Sequence, residues 1–158
     1  MNHKHLEIRE AVPEDLPILK EFEQGVIQYE RPFAANLKKD PITYYDLEDL
    51  ILRKDALMLV AISENEIIAS GYALIIKNSK AFFNFKHYAY LGFMYVAPEH
   101  RGKGINGKIT EKLVTWAENR GISEIQLDVY ASNESAIKAY QKMGFKPDLL
   151  KMRLNTTE

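Results

Sequence analysis

The sequence contains no cysteine, and this absence excludes several kinds of chemistry. Disulfide frameworks, cysteine-ligated zinc or iron–sulfur sites and cysteine nucleophiles are all ruled out, so any reaction must use other side chains. Neither sign of charge dominates, because 21 Lys and Arg residues stand against 22 Asp and Glu residues, for a formal net charge of -1. Such a chain has no overall field that attracts nucleic acid, and we predict no nucleic-acid partner.

Long apolar runs are also missing. The longest run, residues 56–62, is far shorter than the ~20 residues that a membrane span needs. Residues 1–5 are polar and lack the apolar core of a signal peptide. We therefore expect no membrane partner and a cytoplasmic location.

The composition is that of a folded domain, since 46% of the 158 residues are hydrophobic and 27% are charged. We expect a single domain over residues 1–158, because domains usually hold about 100–200 residues. Stretches with helical and with strand periodicity alternate along the chain. The sequence therefore predicts an α+β fold.

The predicted elements have the order βααβββαβαβ and follow from hydrophobic period and turn residues. Strands are expected at residues 6–11, 56–63, 67–77, 87–97, 124–130 and 145–154, with a hairpin turn at 64–66. Helices are expected at residues 13–30 and 44–53, from residue 105 to a cap at Gly121, and from an N-cap at Asn133 to Gly144.

A glycine-rich loop lies between a predicted strand and a predicted helix. Three of the eight glycines fall within residues 102–107. Glycine lets the backbone approach a ligand, and the unpaired amides at a helix N-terminus favour negative charge. We predict that this loop binds a phosphate-bearing ligand.

Three motifs overlap in this loop, and the first is a dinucleotide fingerprint. Residues 102–107 match G-x-G-x-x-G, and Asp128 follows near the ~20-residue offset of a ribose-binding acid. A dehydrogenase is therefore an alternative. Against it, residues 98–101 separate the loop from the strand, and too little chain follows to build a doubly wound sheet.

The second motif is the G-x-x-x-x-G-K pattern of nucleotide hydrolases, which the loop matches through Lys108. The hydroxyl residue that should follow the lysine and hold Mg²⁺ is replaced by Ile109. Thr110 points about 100° further round the helix and cannot substitute for it. A nucleotide-binding enzyme thus lacks its metal ligand.

The third motif uses more of the chain. The pattern V-x-P-x-x-R-G-x-G-I at residues 96–105 resembles the acyl-CoA pyrophosphate loop of the GNAT superfamily of N-acetyltransferases. The pattern L-D-V-x-A-S-N-x-x-A-I-x-x-Y-x-x-x-G-F at residues 127–145 is similar to that family's second signature. One position departs: Asn106 stands where the family usually has Gly or Ala, so its side chain is expected to crowd the pyrophosphate or to hydrogen-bond to it.

The resemblance implies acetyl-CoA as the co-substrate and no metal. It implies a GNAT-like fold: a mixed, mostly antiparallel sheet that splays between the parallel strands at 87–97 and 124–130, with helices on both faces. The pantetheine arm would lie in that gap, on main-chain groups of Met94, Tyr95 and Val96, one amide of which would stabilise the oxyanion. The implied phosphate-binding residues are Arg101, Gly102, Lys103, Gly104, Ile105, Asn106 and Gly107, although Arg101 and Lys103 could instead be ordinary solvated surface residues.

The resemblance also implies roles for two residues on the last helix. Asn133 and Tyr140 are seven residues apart, which is two helical turns, so both face the same side. Tyr140 would protonate the departing thiolate, and Asn133 would contact the pantetheine besides capping the helix. The alternative for Tyr140 is ordinary core packing on an apolar stripe.

The attacking amine must lose a proton, which at pH 7 costs about 4 kcal/mol for an amine of pKa near 10. There is no Asp or Glu between Glu66 and Glu99 to act as a base on the strand before the loop. Asp128 matches a proposed base in the family's protein N-terminal acetyltransferases, and His87 is a second candidate. The alternative for Asp128 is a surface acid that accepts a neighbouring hydrogen bond.

The acceptor would bind near the first two helices. Tyr29 and Glu30, with Phe33, Tyr44 and Tyr45, are predicted to form an aromatic and acidic pocket for a cationic amine; simple packing is the alternative. The expected reaction is direct attack by a primary amine, on a small molecule or a peptide N-terminus, through a tetrahedral intermediate. The alternative function is a non-catalytic domain that senses acyl-CoA. Monomer and homodimer both remain open.

Overall fold

The structure is a computed structural model that describes residues 5–157. Residues 1–4 of the polar N-terminal stretch lie outside the described residues. Strands β1 to β5 span Glu7–Glu10, Ala56–Ser63, Glu66–Lys77, His87–Val96 and Ile125–Gln126. Helices α1 to α4 span Leu16–Glu30, Leu47–Leu52, Ile105–Asn119 and Glu134–Lys142. Short 3-10 helices at Pro13–Asp15 and Pro98–His100 precede α1 and the glycine loop.

The five strands form one sheet in the order β1-β2-β3-β4-β5. Neighbours from β1 to β4 pair antiparallel, and β4 pairs parallel with β5. The prediction of a mixed, mostly antiparallel sheet in an α+β fold is confirmed.

Helices cover both faces of this sheet because the central strands bury alternate side chains on opposite sides. In β2, Met58 and Val60 pack in the cluster formed with α1 and α2. Leu57 and Leu59 pack in the cluster formed with α3. The unbroken apolar run at residues 56–62 of this strand therefore reflects burial on both faces rather than on one.

The predicted turns are correct at two places. Glu64 and Asn65 connect β2 to β3 with φ angles of 50° and 65°, the left-handed pair that a tight two-residue hairpin turn requires. Gly121, at φ 78°, follows α3 as the predicted cap.

The helix predicted at residues 44–53 is shorter than expected. It is confined to Leu47–Leu52, with Asp46 as its N-cap. The backbone amides of Tyr44 and Tyr45 instead donate to the buried carboxylate of Glu23, at 2.9 and 2.8 Å. This contact from α1 holds the preceding segment in a non-helical conformation.

The predicted strand at residues 145–154 is wrong. No strand forms there, and apolar residues of the segment such as Leu149 and Leu154 are exposed. The strand at 124–130 is likewise reduced to Ile125–Gln126. Alternating side chains favour an extended backbone, but a strand also needs a neighbour for its amides and carbonyls. No strand of residues 5–157 pairs with residues 127–130 or with residues 145–154.

Candidate active site

The sheet splits open beside the second half of β4. Strand β5 pairs with β4 only at Ala89 opposite Ile125 and at Tyr90 opposite Gln126. Beyond this point no described strand pairs with the β5-facing edge of β4. Its main-chain groups therefore remain available to an extended ligand. Met94, Tyr95 and Val96, predicted to bind the pantetheine arm, lie on this part of β4.

A bulge at Phe93 changes the direction of this edge. Phe93 has a φ of 55°, and the pairing with β3 skips from Tyr72 opposite Gly92 to Ser70 opposite Tyr95. A bulky residue in the left-handed region is strained by about 1–3 kcal/mol and needs support from its surroundings. The buried Ser70 hydroxyl supplies support by donating to the Phe93 carbonyl at 3.1 Å.

The bulge also decides which way the following side chains face. Regular alternation from Leu91, which packs towards α3, would place Phe93 and Tyr95 on that same side. Both instead join the cluster with α1 and α2. This feature was not predicted from the sequence, where its only signal was the lone Gly92 inside a strand.

Tyr95 lies closely against α1. Its ring centroid is 4.6 Å from that of Phe22. This approach needs a glycine on the helix, since a Cβ atom at Gly25 would lie 2.6 Å from the Tyr95 ring. Arg101 covers the other side, with its guanidinium carbon 5.6 Å from the Tyr95 ring centroid and 5.9 Å from that of Tyr29.

Arg101 thus points towards α1 and is not an isolated surface charge. Its Nε donates to the Val96 carbonyl at 2.8 Å, which ties the loop to the end of β4. Lys103 is half-buried within the loop. The structure brings Arg101 together with Tyr29 and Tyr95, a contact that the sequence analysis did not predict.

The glycine loop presents a series of free amides. Gly102 and Gly104 have φ angles of 76° and 80°, and Gly104 is the N-cap of α3. Within residues 5–157, no group accepts a hydrogen bond from the backbone amides of 102–107; the first helical bond runs from the Lys108 amide to the Gly104 carbonyl, at 3.2 Å. Buried Ile105 anchors the helix start in the core. This geometry fits an anionic ligand such as a pyrophosphate.

Asn106 lies beside Tyr140. The Asn106 Oδ1 atom is buried and has no hydrogen-bond partner in the described chain. Burial raises the pKa of Tyr140, and hydrogen bonding to Asn106 opposes that rise without cancelling it. The phenol ring also packs edge-on against Phe145, at 5.7 Å between centroids. Asn106, which stands where the family usually has Gly or Ala, thus contacts Tyr140, the predicted proton donor.

Asn133 and Thr110 have defined local partners. Asn133 is buried, and its Oδ1 accepts from the Ala136 amide at 3.3 Å, so the predicted N-cap is confirmed. The Thr110 hydroxyl donates to the Asn106 carbonyl at 2.8 Å inside α3. That hydroxyl is used within the helix, which weakens the nucleotide-hydrolase alternative further.

Asp128 is exposed just after β5 and accepts a hydrogen bond from the Tyr90 hydroxyl, at 3.1 Å. Burial raises the pKa of Tyr90, and the charge of Asp128 raises it further. Tyr90 therefore remains a neutral donor that orients the carboxylate. His87, the other base candidate, is exposed at the first residue of β4.

Glu30, the last residue of α1, is half-buried beside tyrosines. Burial raises its pKa, and the nearby Tyr44 hydroxyl lowers it by a smaller amount. That hydroxyl is itself buried without a well-aligned partner. The negative charge of Glu30 in turn raises the pKa of Tyr44, Tyr45, Tyr90, Tyr130 and Tyr140.

Only part of the predicted aromatic pocket faces this carboxylate. Tyr45 is core packing, with its ring 5.0 Å from Phe93. Tyr29 is exposed and lies 5.9 Å from Phe33 between ring centroids. Glu23 was not predicted from the sequence either, although its position among the apolar residues on one side of α1 was a signal for a buried structural carboxylate.

Residues 5–157 hold no cluster of three or more His, Asp or Glu residues arranged to bind a metal ion. Across that range, each helix is too short or too polar to cross a bilayer.

The fold and the site define an α+β domain with a split sheet edge next to an anion-binding helix start. Comparison with protein families matches residues 24–145 to the Acetyltransferase (GNAT) family. The match covers more than half of the chain, which therefore belongs to this family.

Curated relatives match over shorter stretches. The N-acetyltransferase YobR of Bacillus subtilis is 40% identical over 60 residues, which cover 38% of this chain and 24% of that protein. The thialysine N-epsilon-acetyltransferase of Sus scrofa is 40% identical over 55 residues, covering 35% of this chain and 32% of that protein. The matches thus span about a quarter to a third of these relatives.

Solved structures match over nearly the whole chain. A predicted acetyltransferase from Clostridium acetobutylicum, crystallised with acetyl-CoA, has a TM-score of 0.73 and covers 96% of this chain and 97% of its own. Its identity is 21%, so the likeness establishes the fold. The predicted GNAT fold is confirmed.

Proposed function

We propose that this protein transfers an acetyl group from acetyl-CoA to a primary amine, on a small molecule or a peptide N-terminus. One observation carries the proposal: the open edge of β4 is followed, after the short 3-10 helix at Pro98–His100, by a loop whose amides at residues 102–107 have no acceptor within residues 5–157. An extended ligand that ends in a pyrophosphate has the shape to pair with the edge of β4 and the charge to bind the loop amides. When bound, acetyl-CoA supplies a thioester that is reactive towards amines.

Main-chain groups of Met94, Tyr95 and Val96 would bind the pantetheine arm as an added strand. An amide at the bulge would stabilise the negative charge that develops on the attacked oxygen, an interaction that is usually the largest in acyl transfer. The amides from Gly102 to Gly107 would hold the pyrophosphate. Arg101 supports this arrangement by fixing the Val96 carbonyl, and Asn133 is the proposed pantetheine contact on α4.

Tyr140 is the proposed proton donor to the departing thiolate. Burial raises its pKa, so the phenol is protonated throughout the neutral range. Transfer from a phenol of pKa above 10 to a thiolate of pKa near 8.5 is uphill by about 2 kcal/mol or more. Hydrogen bonding from Asn106 reduces this difference, which gives the unusual residue at position 106 a role next to the reaction.

Asp128 is the proposed base for the amine, directly or through water, with Tyr90 holding its carboxylate in place. Asp128→Asn keeps a hydrogen-bond acceptor for Tyr90 but removes the base. We expect the variant to lose the lower limb of the pH–rate profile while its circular dichroism stays unchanged. An unaltered limb would assign deprotonation to solvent or to His87 and reject Asp128.

Glu30 and Tyr29 are the proposed acceptor-binding residues. A half-buried carboxylate among tyrosine rings attracts a cationic ammonium group by charge and by contact with aromatic faces. A cationic acceptor is in keeping with the relative named for thialysine, whose name specifies an amine at the epsilon position.

The decisive experiment combines calorimetry with CoA and an acetyl-transfer assay over a panel of amines. Because the chain has no cysteine, a thiol reagent reports released CoA without protein background. We expect CoA binding together with thiol release on at least one amine, without added metal. NADH and ATP serve as control ligands for the two other glycine motifs.

Tight CoA binding without turnover on any amine would instead favour the acyl-CoA sensor. Absence of CoA binding would reject both functions. Binding of NADH or ATP in place of CoA would restore the dinucleotide or nucleotide-hydrolase motif.

A further inference from the structure

The loop between β3 and β4 exposes a cluster of aromatic rings. We call residues 78–86 the aromatic hairpin, because this segment joins the two antiparallel strands and contains three phenylalanines. Phe82 is 79% exposed and Phe83 is 48% exposed. Apolar rings that lie together in solvent are typical of a surface that binds a partner.

The aromatic hairpin has a defined conformation that depends on Asn78. The Asn78 Nδ2 group donates to the carbonyls of Lys80 and Phe85, at 2.9 and 3.0 Å, and its Oδ1 accepts from the Lys80 amide at 3.0 Å. The Asn78 amide donates to the Lys86 carbonyl at 2.8 Å. A loop that is already ordered loses little conformational entropy when it binds a ligand.

The exposed rings begin a continuous row of aromatic contacts. The distances between ring centroids are 4.9 Å from Phe82 to Phe83, 5.3 Å from Phe83 to Phe85 and 6.1 Å from Phe85 to Tyr88. Tyr88 and Tyr90 are two residues apart in a part of β4 that pairs regularly with β3, so both lie on the same face of the sheet. The row therefore extends from the hairpin along one face of β4.

The inner end of this row lies at the candidate active site. Tyr90 packs with the cluster formed by α1 and α2, and its hydroxyl donates to Asp128, the proposed base. At about 3.3 Å per residue, the stretch from Lys86 to Tyr90 spans about 13 Å. A small amine at Asp128 is too short to reach the hairpin. An extended peptide with its N-terminal amine at Asp128 would reach the hairpin with its fourth and fifth residues.

The charge around the aromatic hairpin has one sign. Lys77, Lys80 and Lys86 lie on or next to it, and the sequence has no Asp or Glu between Glu66 and Glu99. In the part of the chain that the structure describes, no carboxylate forms an ion pair with any of these three lysines. Complementary charge therefore favours acidic side chains on the partner.

We propose that the aromatic hairpin binds the fourth and following residues of a peptide acceptor and prefers acidic and apolar side chains there. The proposal rests on the proposed acetyl transfer, and it narrows the acceptor to a peptide N-terminus. The phenylalanine rings would contact apolar side chains of the peptide, and the lysines would pair with its carboxylates. The acceptor is thus selected at two places, at its amine and at the residues that follow.

The first test measures peptide binding without turnover, by calorimetry in the presence of CoA. Two short peptides share an N-terminal serine and a phenylalanine at the fifth position. One has aspartates at the fourth and sixth positions, and the other has lysines there. We expect the acidic peptide to bind at least ~10-fold more tightly, or about 1.4 kcal/mol.

Charge reversal tests whether the hairpin produces this preference. The variant that combines Lys80→Glu with Lys86→Glu should bind the lysine peptide more tightly than the acidic one. The variant that combines Lys54→Glu with Lys112→Glu is the matched control, because it has the same net charge and also changes two exposed lysines. The control should keep the preference for the acidic peptide. Circular dichroism checks that both variants are folded.

The second test removes the most exposed ring and uses turnover. Phe82→Ser should raise the KM for the acidic peptide by about 5–10-fold, because an aromatic contact with the peptide is lost. The kcat should stay within about two-fold, since the bond that forms lies at the other end of the peptide. A fall in kcat with an unchanged KM would contradict a role in peptide binding.

Other anionic partners are tested with the same variants. Vesicles that contain phosphatidylglycerol attract basic surfaces, and the bases of a single-stranded oligodeoxythymidine stack on exposed rings. If either probe binds more tightly than the acidic peptide, and if charge reversal of the hairpin abolishes that binding, the hairpin belongs to that partner and the proposal is overturned.

Two further results would overturn the proposal while leaving acetyl transfer intact. They are equal affinity of the unaltered protein for the two peptides, and acetylation of a small amine with binding of neither peptide. The opposite result is also distinguishable: the expected peptide preference without thiol release on any amine would keep the peptide surface and reject only the acetyl transfer.

Discussion

The two ends of the chain are packed very differently. All the buried hydrophobic residues of the described chain lie at or before Ala117, in helices α1 to α3, in strands β2 to β4 and at Ala11. Beyond Ala117, Asn133 is the sole buried residue of the part that the structure describes. The glycine loop belongs to the packed region, whereas the proposed acid and base, Tyr140 and Asp128, belong to the open one. The proposed ligand site thus lies mainly in the packed region, and the proposed proton transfer uses the sparsely packed one.

Tyr140→Phe tests the open region and should have the largest effect. Phenylalanine keeps the packing against Phe145 but removes the proton, so we expect turnover to fall by about 10²–10⁴-fold with CoA affinity nearly unchanged. Steady-state kinetics and calorimetry measure the two quantities. Tyr88→Phe, at the far end of β4, is the control and should retain full turnover. A large loss of thermal stability in Tyr140→Phe would instead identify a core tyrosine.

Leu113→Ala tests the packed region. Leu113 is fully buried on α3, and its truncation should lower the free energy of unfolding by about 2–5 kcal/mol. Leu154→Ala, in the exposed C-terminal segment, should change it by less than about 0.5 kcal/mol. Urea denaturation measures both. Equal losses in the two variants would contradict the contrast between the regions.

Gly104→Asp tests the glycine loop at the start of α3, where the ligand is proposed to bind. A carboxylate at the N-cap of α3 would occupy the position of the pyrophosphate charge, so we expect CoA affinity to fall by at least ~100-fold, or about 2.7 kcal/mol. No atom lies within 4 Å of the added Cβ, so the substitution costs the strain of a left-handed backbone, about 1–2 kcal/mol, and the fold should survive. Gly121→Asp is the matched control, because that glycine has a similar φ of 78° and equally open surroundings at the other end of α3. Unchanged affinity in folded Gly104→Asp would move the phosphate site elsewhere.

Glu30→Gln should have the smallest effect and a defined pH dependence. Burial raises the pKa of Glu30, so its ionised form opposes folding. Below the pKa of Glu30 in the unfolded chain, the residue is protonated in both states and costs the wild-type protein no stability. The wild-type protein loses stability as the pH rises through the higher pKa of Glu30 in the folded state. We expect the variant to melt ~1–3 °C higher than the wild type at pH 8 and at nearly the same temperature at pH 4.

Glu21→Gln, on the exposed side of the same helix, is the control and should melt like the wild type at both pH values. A Glu30→Gln variant that is less stable than the wild type at pH 8 would mean that a partner within the protein already stabilises the carboxylate. Glu30 would then no longer support a binding site for a cationic amine.

Local features of the chain were predictable, and features that depend on distant pairing were not. The glycine spacing predicted the start of α3, because left-handed backbone at Gly104 is a property of that residue. Alternation also predicted a strand at 145–154, but local pattern cannot state which edge a strand joins. The Phe93 bulge was unpredictable for a similar reason, since phenylalanine adopts this φ only under constraint from β3 and Ser70.

The bulge at Phe93 adds chain without displacing either end of the strand. Gly92 pairs with Tyr72 and Tyr95 with Ser70, so Phe93 and Met94 together stand opposite the single residue Gly71. Deleting Phe93 would leave both flanking pairs in register, but it would remove a buried ring from the core and re-aim the peptide groups between the two pairs. The direction of those peptide groups at the free edge of β4 is therefore set by the number of residues in one strand, and the Ser70 hydroxyl supports it.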